Sequence, residues 1–95
     1  MQVKQFREQG PLHEEIAAEC EQIMTMLQEK NRAYGNSALD PIRVFSKAST
    51  EEQLLVRLDD KLSRLERGTD AGEDVMADLI GYLILLRIAR KTRHD

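Results

Sequence analysis

Apolar residues in this chain recur at helical spacing in three blocks, and no segment alternates as a half-buried strand does. In the first block, "PLHEEIAAECEQIMTMLQEKNR", Ile16, Cys20, Ile23 and Leu27 are spaced four, three and four apart. That is one stripe of a helix, widened by Ala17 and Met24. In the second, "EEQLLVRLDDKLSRLERG", Leu54, Leu58, Leu62 and Leu65 form the stripe. The third, "GEDVMADLIGYLILLRIARK", is apolar on nearly all sides between Leu79 and Leu86, as a buried helix is.

Start and stop signals frame these blocks. Pro11 stands where the first helix begins, and Gly35 and Asn36 where it ends. Glu14 and Glu15 suit its positive N-terminal end, Lys30 and Arg32 the other. Ser49 or Thr50 caps the second helix, with Glu51 and Glu52 behind, and Gly68 stops it. Thr69 or Asp70 caps the third. The pattern predicts helices over about 12–32, 50–67 and 71–91 in a single helical domain, 11–92. Residues 1–10 read as a flexible tail and 93–95 as a frayed end. Between the first two helices lies "AYGNSALDPIRVFSKAST", long for so small a domain and for that reason a candidate for function. Asp40-Pro41 keeps it from continuing the helix, and a short helical turn is expected around Ile42 to Ser46.

The fold class that follows is all-α: a small bundle of three long helices. With 95 residues the chain buries a modest share of its surface. The all-round apolar third helix then calls for a helix from another subunit, so a homodimer or homotetramer is expected. Hydrophobic residues at 41% and charged residues at 33% describe a folded, charge-rich protein rather than a disordered one. The net charge of −3 gives no general attraction to polymeric nucleic acid. The longest apolar run, "LIGYLILL", is too short to span a bilayer, and the N-terminus reads as carrying no secretory signal. One cysteine, Cys20, forms no intramolecular disulfide and fits a reducing, cytoplasmic setting. Its place on the apolar stripe makes it a core residue in this reading rather than a nucleophile.

Asp74 and Asp78 are the most informative candidates. Four residues apart, their carboxylates share a helix face about 6 Å from each other. Asp78 also opens the most apolar stretch of the chain, where a carboxylate needs a compensating cation such as Mg²⁺. The plainer role for Asp74, as for Glu73, is to favour the helix dipole. On the preceding helix, Asp59 flanks the leucine stripe while Asp60 points away, placed to pair with Arg64. Arg57, Lys61 and Arg64 line the other flank, placed for phosphates or for snorkelling over the core edge. Glu15 and Glu19 form an acidic row on the first helix that reads as solvated, its alternative role being to join a metal site. His13 and His94 have no ligand spacing, and no phosphate-binding glycine loop is present.

Three elements in order carry a resemblance that covers roughly residues 28–86. "EKNRAYGNS" resembles the K-N-x-D-Y-G-x-S element of the nucleotide modification associated domain 1 group of small phage and bacterial proteins. "RLDDKLSRL" is similar to that group's R-L-E-D-K-x-x-R-L, and "EDVMADLIGYLIL" to its E-D-x-x-x-D-L-x-x-Y helix. The group in turn resembles the all-α nucleoside triphosphate pyrophosphohydrolases of the MazG type, which are helical, usually oligomeric and Mg²⁺-dependent. The resemblance implies a MazG-like bundle that releases pyrophosphate from a (deoxy)nucleoside triphosphate. It implies Asp60, Asp74 and Asp78 as metal ligands, with Asp60 and Asp78 catalytic. It implies Lys30, Tyr34, Lys61 and Arg64 around the nucleotide, with Gly35 in the loop element. The sequence departs from these patterns at Ser63 and Val75, where MazG proteins carry acids, and at Ala33, where the group has an acid. The alternative these departures favour is a non-catalytic nucleotide-binding or structural oligomeric accessory protein of phage or prophage origin.

Overall fold

The structure, a computed structural model, describes residues 10–68 and 72–92. Three helices account for most of them: α1 (Gly10–Tyr34), α2 (Thr50–Arg67) and α3 (Val75–Thr92). The described residues contain no strand, so the all-α reading holds. The expected tails at 1–10 and 93–95 lie outside the described residues, save Gly10, which is the first residue of α1. Because α1 starts there, Glu14 and Glu15 fall beyond its first turn.

The second helix follows its sequence signals closely. Ser49 is its N-cap, the hydroxyl accepting the Glu52 amide at 3.1 Å. Gly68 closes it at φ 72°, a left-handed conformation that glycine adopts at no steric cost. Thr50 is the first helical residue and is almost wholly buried. Its hydroxyl accepts from Arg43 Nη2 at 2.8 Å and donates to the Leu39 carbonyl at 3.4 Å.

The third helix begins at Val75, later than the residue 71 expected. The expected caps Thr69 and Asp70 lie outside the described residues. Asp74 takes the capping role, its Oδ1 accepting the Ala77 amide at 3.0 Å.

α3 is the central element: α2 packs along one side of it and α1 on another, and α1 and α2 do not pack on each other. Leu54 and Leu58 of α2 meet Leu86 and Ala89 of α3 in the core, with Leu55, Leu79, Tyr82 and Leu85 around them and Leu39 from the connection. The α1 contact depends on Gly81. A Cβ there would lie 2.9 Å from Leu27 Cδ2 and 3.3 Å from Met26 Cε, so an alanine would require a small shift of these two side-chain tips and a larger residue would push α1 away.

Much of the expected core is open. Ile23 is the buried residue of α1, whereas Leu12, Ile16 and Met24 are exposed. Cys20 is exposed too, against the expectation of a core thiol. The stripe is continuous, but the N-terminal half of α1 has no helix laid against it among the described residues. Leu62 and Leu65 are likewise exposed at the end of α2.

The connection between α1 and α2 turns through 35–39 and then runs without regular structure to Ser49, bending at 44–45. The helical turn expected around Ile42 to Ser46 is absent. Arg43 bonds the Ala48 carbonyl and Thr50, which ties this segment to the start of α2 instead of letting it coil. Phe45, 97% exposed, stands at its tip beside Ile42 and Val44.

Two substitutions test this packing. Leu54→Ala removes the most buried leucine and should lower unfolding free energy by about 2–5 kcal/mol, a large part of what a small domain has. Gly81→Leu should separate α1 from α3 at a cost of about 1–3 kcal/mol, while Gly81→Ala should stay near neutral because helix propensity offsets the tighter contact. Urea titration followed by circular dichroism measures both.

Candidate functional site

Lys30, near the C-terminal end of α1, reaches across to α3 and places its ammonium 3.1 Å from Asp78 Oδ1. Lys61 of α2 approaches the other oxygen, Oδ2, at 3.3 Å. One carboxylate thereby joins all three helices. The Asp78 side chain is 12% exposed and that of Lys61 13%, so this is a largely desolvated pair rather than a surface contact. A covered carboxylate without a partner is unfavourable, and Asp78 has two: the equally covered Lys61, and Lys30, whose side chain is 53% exposed.

A second layer of charge lies next to the first. Lys61 also contacts Glu73 at 3.5 Å, Arg64 donates to Glu73 at 2.9 Å, and Arg64 lies 3.3 Å from Asp60 one helical turn away. The chain of contacts runs Lys30, Asp78, Lys61, Glu73, Arg64, Asp60, alternating in sign throughout.

Beside Asp78 opens a cavity of about 340 Å³ between α1 and α3. Its chemically informative lining residues are Lys30, Tyr34, Ser37, Arg57, Asp78 and Tyr82, with Met26, Leu27 and Leu85 as an apolar floor. The connection after α1 supplies Ser37 and Ala38, which gives this long segment a place in the site wall. Gly35 and Asn36, both at positive φ, turn the chain at that wall. Asp78 and Tyr82 are one turn apart on α3, and Lys30 and Tyr34 one turn apart on α1. Each helix therefore presents one charge and one ring to the same space.

Arg57 completes the wall from α2. Its guanidinium stands 6.0 Å from the centre of the Tyr82 ring, at the outer reach of a cation–π contact. Among the described residues it forms no ion pair. Its five donors are free for a ligand, and a planar fork of this kind matches phosphate oxygens. Lys30 spends one of its three donors on Asp78.

Of the residues singled out in the sequence, Lys30, Tyr34 and Asp78 come together at the cavity. Lys61 meets Asp78 from the α2 side. Arg64 and Asp74 line a separate shallow depression at the α2–α3 turn with Glu73. Asp60 is paired with Arg64, and Asp74 caps its own helix. Arg57, offered by the sequence for phosphates or for snorkelling, also lines the cavity. Tyr82 and Ser37 line it without having been singled out, although Tyr82, four after Asp78, shares that residue's helix face.

The donor set can be weighed against a divalent ion. Among the described residues no three His, Cys, Asp or Glu side chains gather closely enough to hold one. Asp78 has both oxygens on ammonium groups, and Glu73 and Asp60 are each held by a basic side chain. As arranged, the acids are matched to lysine and arginine rather than to a metal.

No protein-family model, curated protein or solved structure matches the chain. Among the described residues no helix is long and apolar enough to cross a membrane.

The Lys30 pKa is raised above the ordinary lysine value of 10.5, chiefly by its hydrogen bond to Asp78, with partial burial opposing and the carboxylate's charge adding. A lysine pKa raised by folding contributes stability that is complete below the unfolded value and disappears as pH rises through the folded one. Lys30→Met should therefore be less stable than the parent at neutral pH. That difference should close as the pH is taken above 10.5, read from urea midpoints of the two proteins.

Proposed function

We propose that this chain binds a nucleotide in the cavity between α1 and α3, phosphates toward Lys30 and Arg57 and the base against a tyrosine ring. The observation that carries this reading is the uncommitted Arg57 guanidinium in one cavity with Lys30, Tyr34 and Tyr82. A phosphate needs charge-assisted donors, and a forked guanidinium beside an ammonium supplies them in a partly desolvated space. A base needs an aromatic face, and Tyr34, largely exposed at the cavity, offers one. The volume suits part of a nucleotide, with the rest reaching solvent. The resemblance to nucleotide modification associated domain 1 supports the same ligand class. In this reading the protein is a nucleotide-binding homo-oligomer, and the alternating charges fix the site wall rather than perform chemistry.

One observation favours a second reading, Mg²⁺-dependent release of pyrophosphate. Asp78 stands at the cavity, and Glu73 reaches the same Lys61 ammonium. Two carboxylates around one cation would suit a metal in place of the lysine, after a rearrangement of the pairs described above. Asp60 and Asp74 would have to leave Arg64 and the helix cap to join them.

Thermal shift of the full chain with nucleoside triphosphates, with and without Mg²⁺, separates these readings. Binding at a hundredfold excess over Kd should stabilise the protein by about 2.7 kcal/mol. Arg57→Ala and Tyr34→Ala should reduce the shift strongly while leaving helix content unchanged. Stabilisation without Mg²⁺ and without pyrophosphate release supports binding alone. Pyrophosphate released only with Mg²⁺, and lost in Asp78→Asn, supports the hydrolase. No shift with any nucleotide would overturn both.

A further inference from the structure

α3 carries a second apolar stripe, directed away from both of its neighbours. Met76, Ile80, Leu83, Ile84 and Ile88 are spaced at helical intervals, and all are exposed. The core face of the same helix, through Val75, Leu86 and Ala89, is buried. α1 has the complementary problem. Leu12 and Ile16 continue the stripe that buries Ile23, but they stand 65% and 54% exposed on a stretch of helix with no other helix laid against it among the described residues. Two bare apolar surfaces of helical shape, one projecting and one flat, lie on one small chain.

Their flanking charges are opposite. On α1, Glu15 and Glu19 form an i, i+4 row beside Leu12 and Ile16. On α3, Arg87 and Lys91 form an i, i+4 row that continues the line of Ile80 and Leu83. Rows of equal spacing and opposite sign can meet in register when two helices are laid side by side. Like pairs would repel: α1 on α1 places four glutamates together, and α3 on α3 four cations.

We infer that the N-terminal half of α1 of one copy docks on the outer face of α3 of a second copy, reciprocally, with the Glu15–Glu19 row against the Arg87–Lys91 row. The exchange forms a closed, two-fold dimer in which each surface is used once. At the exposures observed, the seven apolar side chains present on the order of 600 Å² per copy. Wholly covered in a pair, that surface amounts to roughly 1,200 Å², the lower bound of a standard interface. The interface is independent of the nucleotide site, since none of these eleven residues lines the cavity.

Sedimentation equilibrium of the full chain, with two charge-swapped variants, tests the arrangement. Wild type should run as a dimer that loosens with salt. Glu15→Lys/Glu19→Lys alone should be monomeric, because four lysines then face two arginines and two lysines. Arg87→Glu/Lys91→Glu alone should be monomeric for the mirrored reason. Mixed, the two variants should form a heterodimer of twice the chain mass, since both of its interfaces are complementary. Circular dichroism of each variant establishes that the helices persist at surface positions. A wild type that is monomeric at every concentration overturns the inference. So does an oligomer whose mass the swaps leave unchanged, or a mixture that stays monomeric.

Discussion

Asp78 sits one turn into α3 with little solvent around its carboxylate, and it holds an ammonium from each of the other two helices. Covering that carboxylate is unfavourable without a cation, and because it takes one from each helix, the positions of α1 and α2 relative to α3 are linked through a single side chain. α1 and α2 do not pack on each other, which leaves Asp78 as the place where their side chains share a partner. Lys30 lies one turn before Tyr34 and the turn at Gly35, so the same contact brings the end of α1 to the site wall.

Close approach and charge work together there. Gly81 lies three residues beyond Asp78 and lets Leu27 sit almost on the α3 backbone, while Lys30, three beyond Leu27, reaches the carboxylate. Apolar contact and ion pair are thus one turn apart on each helix. The connection is held by a different device, Arg43 and Thr50 bonding back across the start of α2. That anchoring lets an irregular segment contribute Ser37 to the cavity without helical structure of its own.

The helices were legible because their signals are local. Ser49 and Gly68 cap α2 through hydrogen bonds to residues within four positions, and the leucine stripe names its buried face. The start of α3 was less so, since Asp70 and Asp74 are equally good caps by type and differ only in what the chain does between them. The site was legible in part. Lys30, Tyr34 and Asp78 meet, but Asp60 and Asp74 do not join them. An acid's helical neighbours are set by spacing, whereas its partner across the bundle depends on which basic side chain reaches it. Arg64 took Asp60 and Glu73; Lys30 and Lys61 took Asp78.

By itself the sequence determined the all-α class, three helices, the Gly68 stop of α2, and which residues along each helix are apolar, because propensity, capping and periodicity act over a few residues. Only the tertiary structure decided which stripes are covered. Cys20 and Ile16 share a face with buried Ile23 and differ from it in having no helix opposite among the described residues, and no pattern within α1 distinguishes them. It also decided that the basic residues of α1 and α2 divide between holding the acids and lining the cavity. That division depends on distances between helices, which are set by Gly81 and by the burial of one carboxylate, not by spacing along any one of them.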